Sequence, residues 1–245
     1  MRNTASMPSI HRPRINRRSL LQAALAAPAL AASATLLPRA ALANTDQGLI
    51  DQARITVEGF AGDSNFGDLR RRLPNARGVM IFPQLIKGSF IIGGEGGSGL
   101  LLARNNGVWS QPAIYTLAAG SIGFQIGGEV SEVIFMLNTE KAVDAILRNE
   151  FKLGADASVA AGPVGAGIEA STTSNLGTDI LSYARSKGLA AGISLEGAVI
   201  TARHSRNEAY YGRSAHPRDI LYNNAVNNPG SQGLISALQA AEQRA

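Results

Sequence analysis

Few residues in this chain have the types and spacing that chemistry requires. Gly94-Glu95-Gly96-Gly97-Ser98-Gly99 spells G-x-G-x-x-G after a plausible strand. A dinucleotide site needs a helix to start there, so that its free N–H groups face the pyrophosphate, and an acid about twenty residues further on. The chain instead continues into Leu100-Leu101-Leu102-Ala103 and Asn105-Asn106-Gly107, a strand and a hairpin turn, and Glu129 comes too late. The motif therefore reads as glycine-rich β structure, and no G-x-x-x-x-G-K-[ST] phosphate loop is present. The absence of cysteine excludes a disulfide framework, thiolate zinc, iron–sulfur clusters and a cysteine nucleophile. His204 and His216 lie in a polar stretch. They are too few for a catalytic zinc and sit in no G-x-S-x-G setting, so they read as surface residues. Asp156, Glu169 and Glu196 stand among small residues, where a facing pair of carboxylates would permit acid–base work and capping of nearby N–H groups is the plainer role. No catalytic set, metal ligands or cofactor are assigned, and the expectation is a protein that is not an enzyme.

Arg70, Arg71 and Arg72 form the only basic triplet after residue 43, with Arg77 and Lys87 close in sequence. Successive helical positions point about 100° apart, so the three cannot all share one partner. Beside an amphipathic helix, such cations attract anionic headgroups at roughly 1 kcal/mol each.

The charge is unevenly spread. Of 245 residues, the first 43 hold six arginines and no acid, which leaves the rest with a net charge of −1. The overall excess of base is thus no argument for a nucleic-acid partner. A basic stretch, an uncharged Ala- and Leu-rich run from Ser19 to Leu37, and Ala41-Leu42-Ala43 are the parts of a secretory signal peptide, and Arg17-Arg18 ahead of them matches the twin-arginine type. The expectation is export to a bacterial periplasm, cleavage after Ala43, and a single domain from Asn44 to Ala245.

Within that domain, Leu49, Ile50, Ala53, Val57 and Phe60 recur at helical spacing between polar residues, which predicts an amphipathic helix over 46–62. Phe66 to Leu73 predicts a short second helix. The period then changes. Val79 to Phe82, Ser89 to Ile92, Leu100 to Ala103, Val108-Trp109, Ser121 to Ile126, Val130 to Leu137, Ala155 to Ala161, Val164 to Thr172, Leu181 to Ala184 and Ile193 to Thr201 are β-type runs punctuated by Gly, Pro and Asn. Asn138 or Thr139 can cap a helix bearing Ala142, Val143, Ile146 and Leu147, and Gly233 to Arg244 reads as a last helix. All 27 glycines lie in this part, and glycine inside strands marks bulges, bends or close backbone approach. The fold class expected is α+β and β-rich: a strongly bent antiparallel sheet or barrel of short strands with three or four flanking helices.

Several blocks in order resemble the SYLF domain family: Gly78 to Pro83, Gly93 to Gly99, Ser121 to Gly128, Gly154 to Ala160, Gly188 to Gly197, and Asn207-Glu208-Ala209-Tyr210-Tyr211-Gly212. The resemblance spans about residues 50–222. It implies binding of anionic phospholipids and, in fungal members, of actin filaments, with an N-terminal amphipathic basic stretch acting at the membrane. The matching region here, Asp46 to Arg72, is poor in basic residues before Arg70. The resulting expectation is a non-catalytic domain that binds anionic phospholipid at the envelope membrane surface or in an apolar pocket. The candidate contacts are Arg70, Arg71, Arg72, Arg77 and Lys87 for headgroups and Leu49, Ile50, Val57 and Phe60 for apolar chains. The alternatives are an envelope protein partner docking on a Gly-rich edge or a Tyr210-Tyr211 loop, and a hydrolase using Asp156, Glu169 or Glu196.

Overall fold

The computed structural model describes residues 37–89, 92–122, 127–148, 150–164, 177–186 and 197–244. The leader up to residue 36, the run from 165 to 172, most of 188–197, Glu169 and Glu196 lie outside the described residues. In chain order the elements are α1 (Leu37–Gly62), α2 (Gly67–Arg72), β1 (Gly78–Ser89), β2 (Ile92–Asn105), β3 (Val108–Trp109), β4 (Ala113–Ile122), β5 (Gly127–Leu137), α3 (Glu140–Ile146), β6 (Phe151–Lys152), β7 (Val159–Ala161), β8 (Ile180–Ser186), β9 (Val199–Ala202), α4 (His204–Tyr211), α5 (Pro217–Leu221) and α6 (Gln232–Glu242). None of the described helices is long and apolar enough to cross a membrane.

The strands form one curled, half-barrel sheet in the order β6-β9-β4-β2-β1-β5-β8-β7, with β3 hairpinned onto β2. Among the described residues, every strand pairing is antiparallel except β7 with β8. The β2–β3 turn has Asn106 and Gly107 at φ 49° and 84°, the two left-handed positions that make Asn-Gly the favoured hairpin dipeptide. Thr139 caps α3 by accepting from the Ala142 N–H at 3.1 Å. More helices form than the three or four expected. The unforeseen ones are α4 and α5, which are too short and polar for an apolar period to reveal.

The sheet is organised by one irregularity in β1. Its register with β2 shifts between Ile81 and Ile86, and its register with β5 shifts between Phe82 and Leu85, so β1 carries an extra residue at Pro83-Gln84. Proline suits a bulge because it has no N–H to contribute to the ladder. The extra residue reverses the pleat. Met80 and Phe82 face the concave side before it, as Leu85 does after it, while Val79 and Ile81 face the helices. Here the glycine motif finds its use. A Cβ on Gly97 would lie 2.2 Å from the Gln84 carbonyl oxygen, and one on Gly99 would lie 2.4 Å from the Phe82 ring. The bulge and the ring occupy the space those side chains would need.

Both faces of the sheet are buried. Against the helix side pack Leu49, Ile50, Ala53, Val57 and Phe60 of α1, Leu69 of α2, and Leu234 and Leu238 of α6. The concave side is filled by Phe82, Tyr115, Phe135, Phe151, Val143 and Ile146 of α3, and Ile220 and Leu221 of α5. Among the described residues the half-barrel interior is filled by side chains. Near its β7–β8 end, Asp179 accepts from Thr139 Oγ1 (2.9 Å), Lys141 Nζ (3.0 Å), and both the N–H and the hydroxyl of Ser158 (3.0 Å each). Burial alone would raise this carboxyl from its ordinary 3.8, but these donors hold it down at about 2.

Gly99→Ala is expected to lower the free energy of unfolding by about 1–3 kcal/mol in urea titration, the usual cost of overpacking, and Phe82→Leu in the same chain recovers part of it. A depressed carboxyl contributes stability above its unfolded value, so the Asp179 contribution is intact above pH 4 and drains away as pH falls from about 4 towards 2. Asp179→Asn flattens that acid limb of the stability curve. An unchanged acid limb would contradict the assignment.

Candidate functional site

Beyond the bulge, α1 and the sheet leave a groove between them. Its wide part, about 680 Å³, is lined by Thr45, Gly48, Leu49 and Gln52 of α1, Gln84 and Ile86 of β1, Gly96, Gly97 and Ser98 of β2, and Arg206 of α4. Its narrow part, about 230 Å³, runs between Gln52, Ile55 and Thr56 of α1 and Pro83, Gln84, Val130 and Glu132 of the sheet. Gln52 and Gln84 line both parts and mark the waist. Neither amide has a protein hydrogen-bond partner among the described residues, and both are exposed. Ile55 and Ile86 are 55% and 53% exposed, a costly position for large apolar side chains unless something covers them.

Charged networks close the two ends. At the wide end the Arg206 guanidinium donates through Nε to Asp46 Oδ1 (2.6 Å) and through Nη1 to Ser98 Oγ (2.6 Å), and its Nη2 completes the ion pair with Asp46 Oδ1 (2.6 Å). Asp46 is fully buried and its Oδ2 has no hydrogen-bond partner among the described residues. Burial raises its pKa and outweighs the lowering by Arg206. Arg206 is positioned by its neighbour in sequence: the buried Asn207 side chain accepts from the Ile114 N–H (2.7 Å) and donates to the Ile114 carbonyl (3.2 Å). That pairing fixes α4 to β4 just past the end of β9. At the narrow end Glu132 accepts from Thr56 Oγ1 (3.2 Å) and from Arg185 Nε (2.8 Å), and the Arg185 guanidinium also stacks over the Phe60 ring.

The residues selected from sequence are placed differently. Leu49 lines the groove floor, but Leu49, Ile50, Val57 and Phe60 are all buried in the helix-side core, with Phe60 fully so. At about 1.5–3 kcal/mol each they contribute roughly 6–12 kcal/mol, as much as a domain's whole stability, so α1 is a core helix. Arg70 donates to the carbonyls of Ala61 (3.2 Å) and Asp63 (2.8 Å), satisfying the C-terminal end of α1. Arg72 (2.8 Å) and Arg71 (3.5 Å) share the buried Asp68, which also accepts from the Tyr183 hydroxyl (2.7 Å). Two of the triplet thus do share one partner, and the third is directed elsewhere. Arg71 and Arg77 keep exposed side chains, the latter 3.9 Å from Glu140. Lys87 lies in register between Glu95 of β2 and Glu129 of β5, on the face away from the groove.

Among the alternative sites, Asp156 is exposed and accepts from the Lys152 N–H (2.7 Å), a turn-closing role. Tyr210 and Tyr211 lie in α4 and not in a loop, with Tyr210 buried and Tyr211 donating to the Pro112 carbonyl (2.6 Å). The expectation of a free Tyr-Tyr docking loop is therefore corrected. Sequence reasoning missed Gln52, Ile55, Gln84, Ile86, Ser98 and Arg206. Ile55 was legible as a large apolar residue of α1 lying off the buried stripe, while Ile86 was hidden by the reversal of the pleat.

Comparisons with known proteins agree with the family blocks in the sequence. Residues 118–241 match the Ysc84 family model, described as "Las17-binding protein actin regulator". The human SH3 domain-containing YSC84-like protein 1 is 32% identical over 174 residues, covering 70% of this chain and 51% of that protein. Protein YSC84 of Saccharomyces cerevisiae is 34% identical over 174 residues, covering 69% of this chain and 36% of that protein, and LAS seventeen-binding protein 3 of the same yeast gives 34%, 69% and 37%. The chain thus spans about half the length of its mammalian relative and just over a third of the yeast ones. With a family model covering half of the chain and motifs running in order from β1 to α4, the chain belongs to the Ysc84 (SYLF) domain family.

Proposed function

We propose that this is a non-catalytic binding domain that holds an anionic phospholipid in the groove between α1 and the β2-β1-β5 face. The carrying observation is the mixed lining of the groove: apolar Ile55, Pro83 and Val130 beside Glu132 in its narrow part, the amides of Gln52 and Gln84 at the waist, and Leu49 and Ile86 beside the Arg206 guanidinium in its wide part. Apolar walls on either side of two exposed amides suit an amphiphile, whose chains need the former and whose ester carbonyls need the latter. The volumes fall in the range of small-molecule sites. Arg71 and Arg77 are exposed cations able to meet further headgroups. The half-barrel interior, filled by side chains among the described residues, argues for a ligand on the helix side of the sheet.

A second reading is supported by the relatives: the family description and the yeast name both refer to binding Las17, a protein partner. An extended protein segment lying in the same groove would present main-chain N–H and C=O groups to the two glutamines. Lipid is preferred because the exposed Ile55 and Ile86 give both parts of the groove an apolar lining.

Vesicle flotation separates the two. The full chain floats with phosphatidylglycerol vesicles and not with phosphatidylcholine, and Ile86→Asp, at a half-exposed site that tolerates it, weakens flotation about tenfold. Arg71→Ala and Arg77→Ala reduce flotation mainly at low salt, whereas Arg70→Ala and Arg72→Ala act first on thermal stability. Flotation indifferent to Ile86→Asp would remove the groove from the lipid reading.

We also propose that the protein is exported by the twin-arginine route and acts in the periplasm. The basic leader with Arg17-Arg18 and Ala41-Leu42-Ala43 supports this. Cleavage after Ala43 would shorten α1 at its start while leaving the buried stretch from Asp46 onward whole. The intact mass of the protein recovered from a periplasmic extract should correspond to Asn44 as first residue. A full-length mass confined to the cytoplasm would refute export.

A further inference from the structure

His204 and His216 read from sequence as unrelated surface residues, yet the fold brings their rings to a centroid distance of 5.0 Å with 58° between the planes. His204 opens α4 and His216 is the N-cap of α5, both exposed. The chain reverses between them at Gly212, whose φ of 70° ends α4, and Pro217 then starts α5. Each histidine sits on an independently anchored backbone. Asn207 and Tyr211 tie α4 to the backbone of β4 through Ile114 and Pro112, while Ile220 and Leu221 bury α5 in the concave core. The fold thus holds the two histidine backbones close to one another independently of any ligand.

We propose that His204 and His216 form a two-imidazole site for a late divalent transition-metal ion such as Cu2+ or Zn2+. With metal–nitrogen bonds of about 2.0–2.1 Å and a tetrahedral angle, two coordinated imidazoles place their centroids about 5 Å apart, the separation found here. Among the described residues no group of three or more His, Cys, Asp or Glu surrounds a common point, so the remaining positions on the ion belong to water. Nitrogen donors without a carboxylate select Cu2+, Ni2+ and Zn2+ over Ca2+ and Mg2+. Metal binding here would clamp α4 to α5 and stiffen the helix that carries Arg206 at the groove end.

The test uses the untagged full chain and Cu2+ alone, read by titration calorimetry and by electron paramagnetic resonance. The expected result is one equivalent bound with two nitrogen ligands, retained in His11→Ala, the third histidine of the chain. His204→Ala and His216→Ala each weaken binding roughly 10²-fold, because the second ligand acts at high effective concentration only when both are present. The double variant loses the site altogether. Both substitutions are at exposed positions, and circular dichroism confirms that the variants fold. Absence of a stoichiometric site, or binding that survives in the double variant, overturns the proposal.

Discussion

The structure depends on the extra residue at Pro83-Gln84. Below it, β1 is an ordinary central strand with core on both faces. Above it, the reversed pleat sends Ile86 towards α1 and Leu85 into the half-barrel. The same bulge pushes the Gln84 carbonyl against Gly97, which is why that strand has to be glycine there. A β-bulge re-aims side chains at the cost of ladder hydrogen bonds. In this protein the re-aimed side chain, Ile86, faces the groove along α1 and joins Ile55 as its exposed apolar lining.

The division of labour between the two cores explains where the groove lies. Among the described residues the concave face is filled by four large aromatic residues and closed by α3 and α5. The helix face is sealed by the α1 stripe up to the bulge, and only beyond it do the helix and sheet part. Buried polar networks hold that opening in shape. Arg206 links α1, α4 and β2 through Asp46 and Ser98, and Glu132 links α1, β5 and β8 through Thr56 and Arg185. An ion pair buried this deeply adds little to net stability but penalises any arrangement that separates it, because one charge is then left uncompensated.

Much of the architecture was legible in the sequence. Helical spacing in α1, the Asn-Gly turn, the Thr139 cap and the apolar β runs come from local rules, and the motif at residues 94–99 was legible as strand. The illegible parts depend on long-range geometry. The arginine triplet looked like a membrane contact because charge runs usually face solvent, but Asp68, Tyr183 and the carbonyls of Ala61 and Asp63, distant or non-periodic in sequence, claim most of it. The groove escaped because its lining alternates by a pleat that one inserted residue inverts. The histidine pair escaped because two polar helices too short for periodicity bring it together.

Asn207 recognises only the peptide group of residue 114, in the manner of a neighbouring strand, and not that residue's side chain. Those two hydrogen bonds are consequently independent of the residue-114 side chain, which is buried in the helix-side core. The same contact satisfies the backbone of β4 just past its last pair with β9, where the Arg203 N–H also donates to the Ile114 carbonyl, so a single asparagine extends that ladder and aligns the helix that carries Arg206.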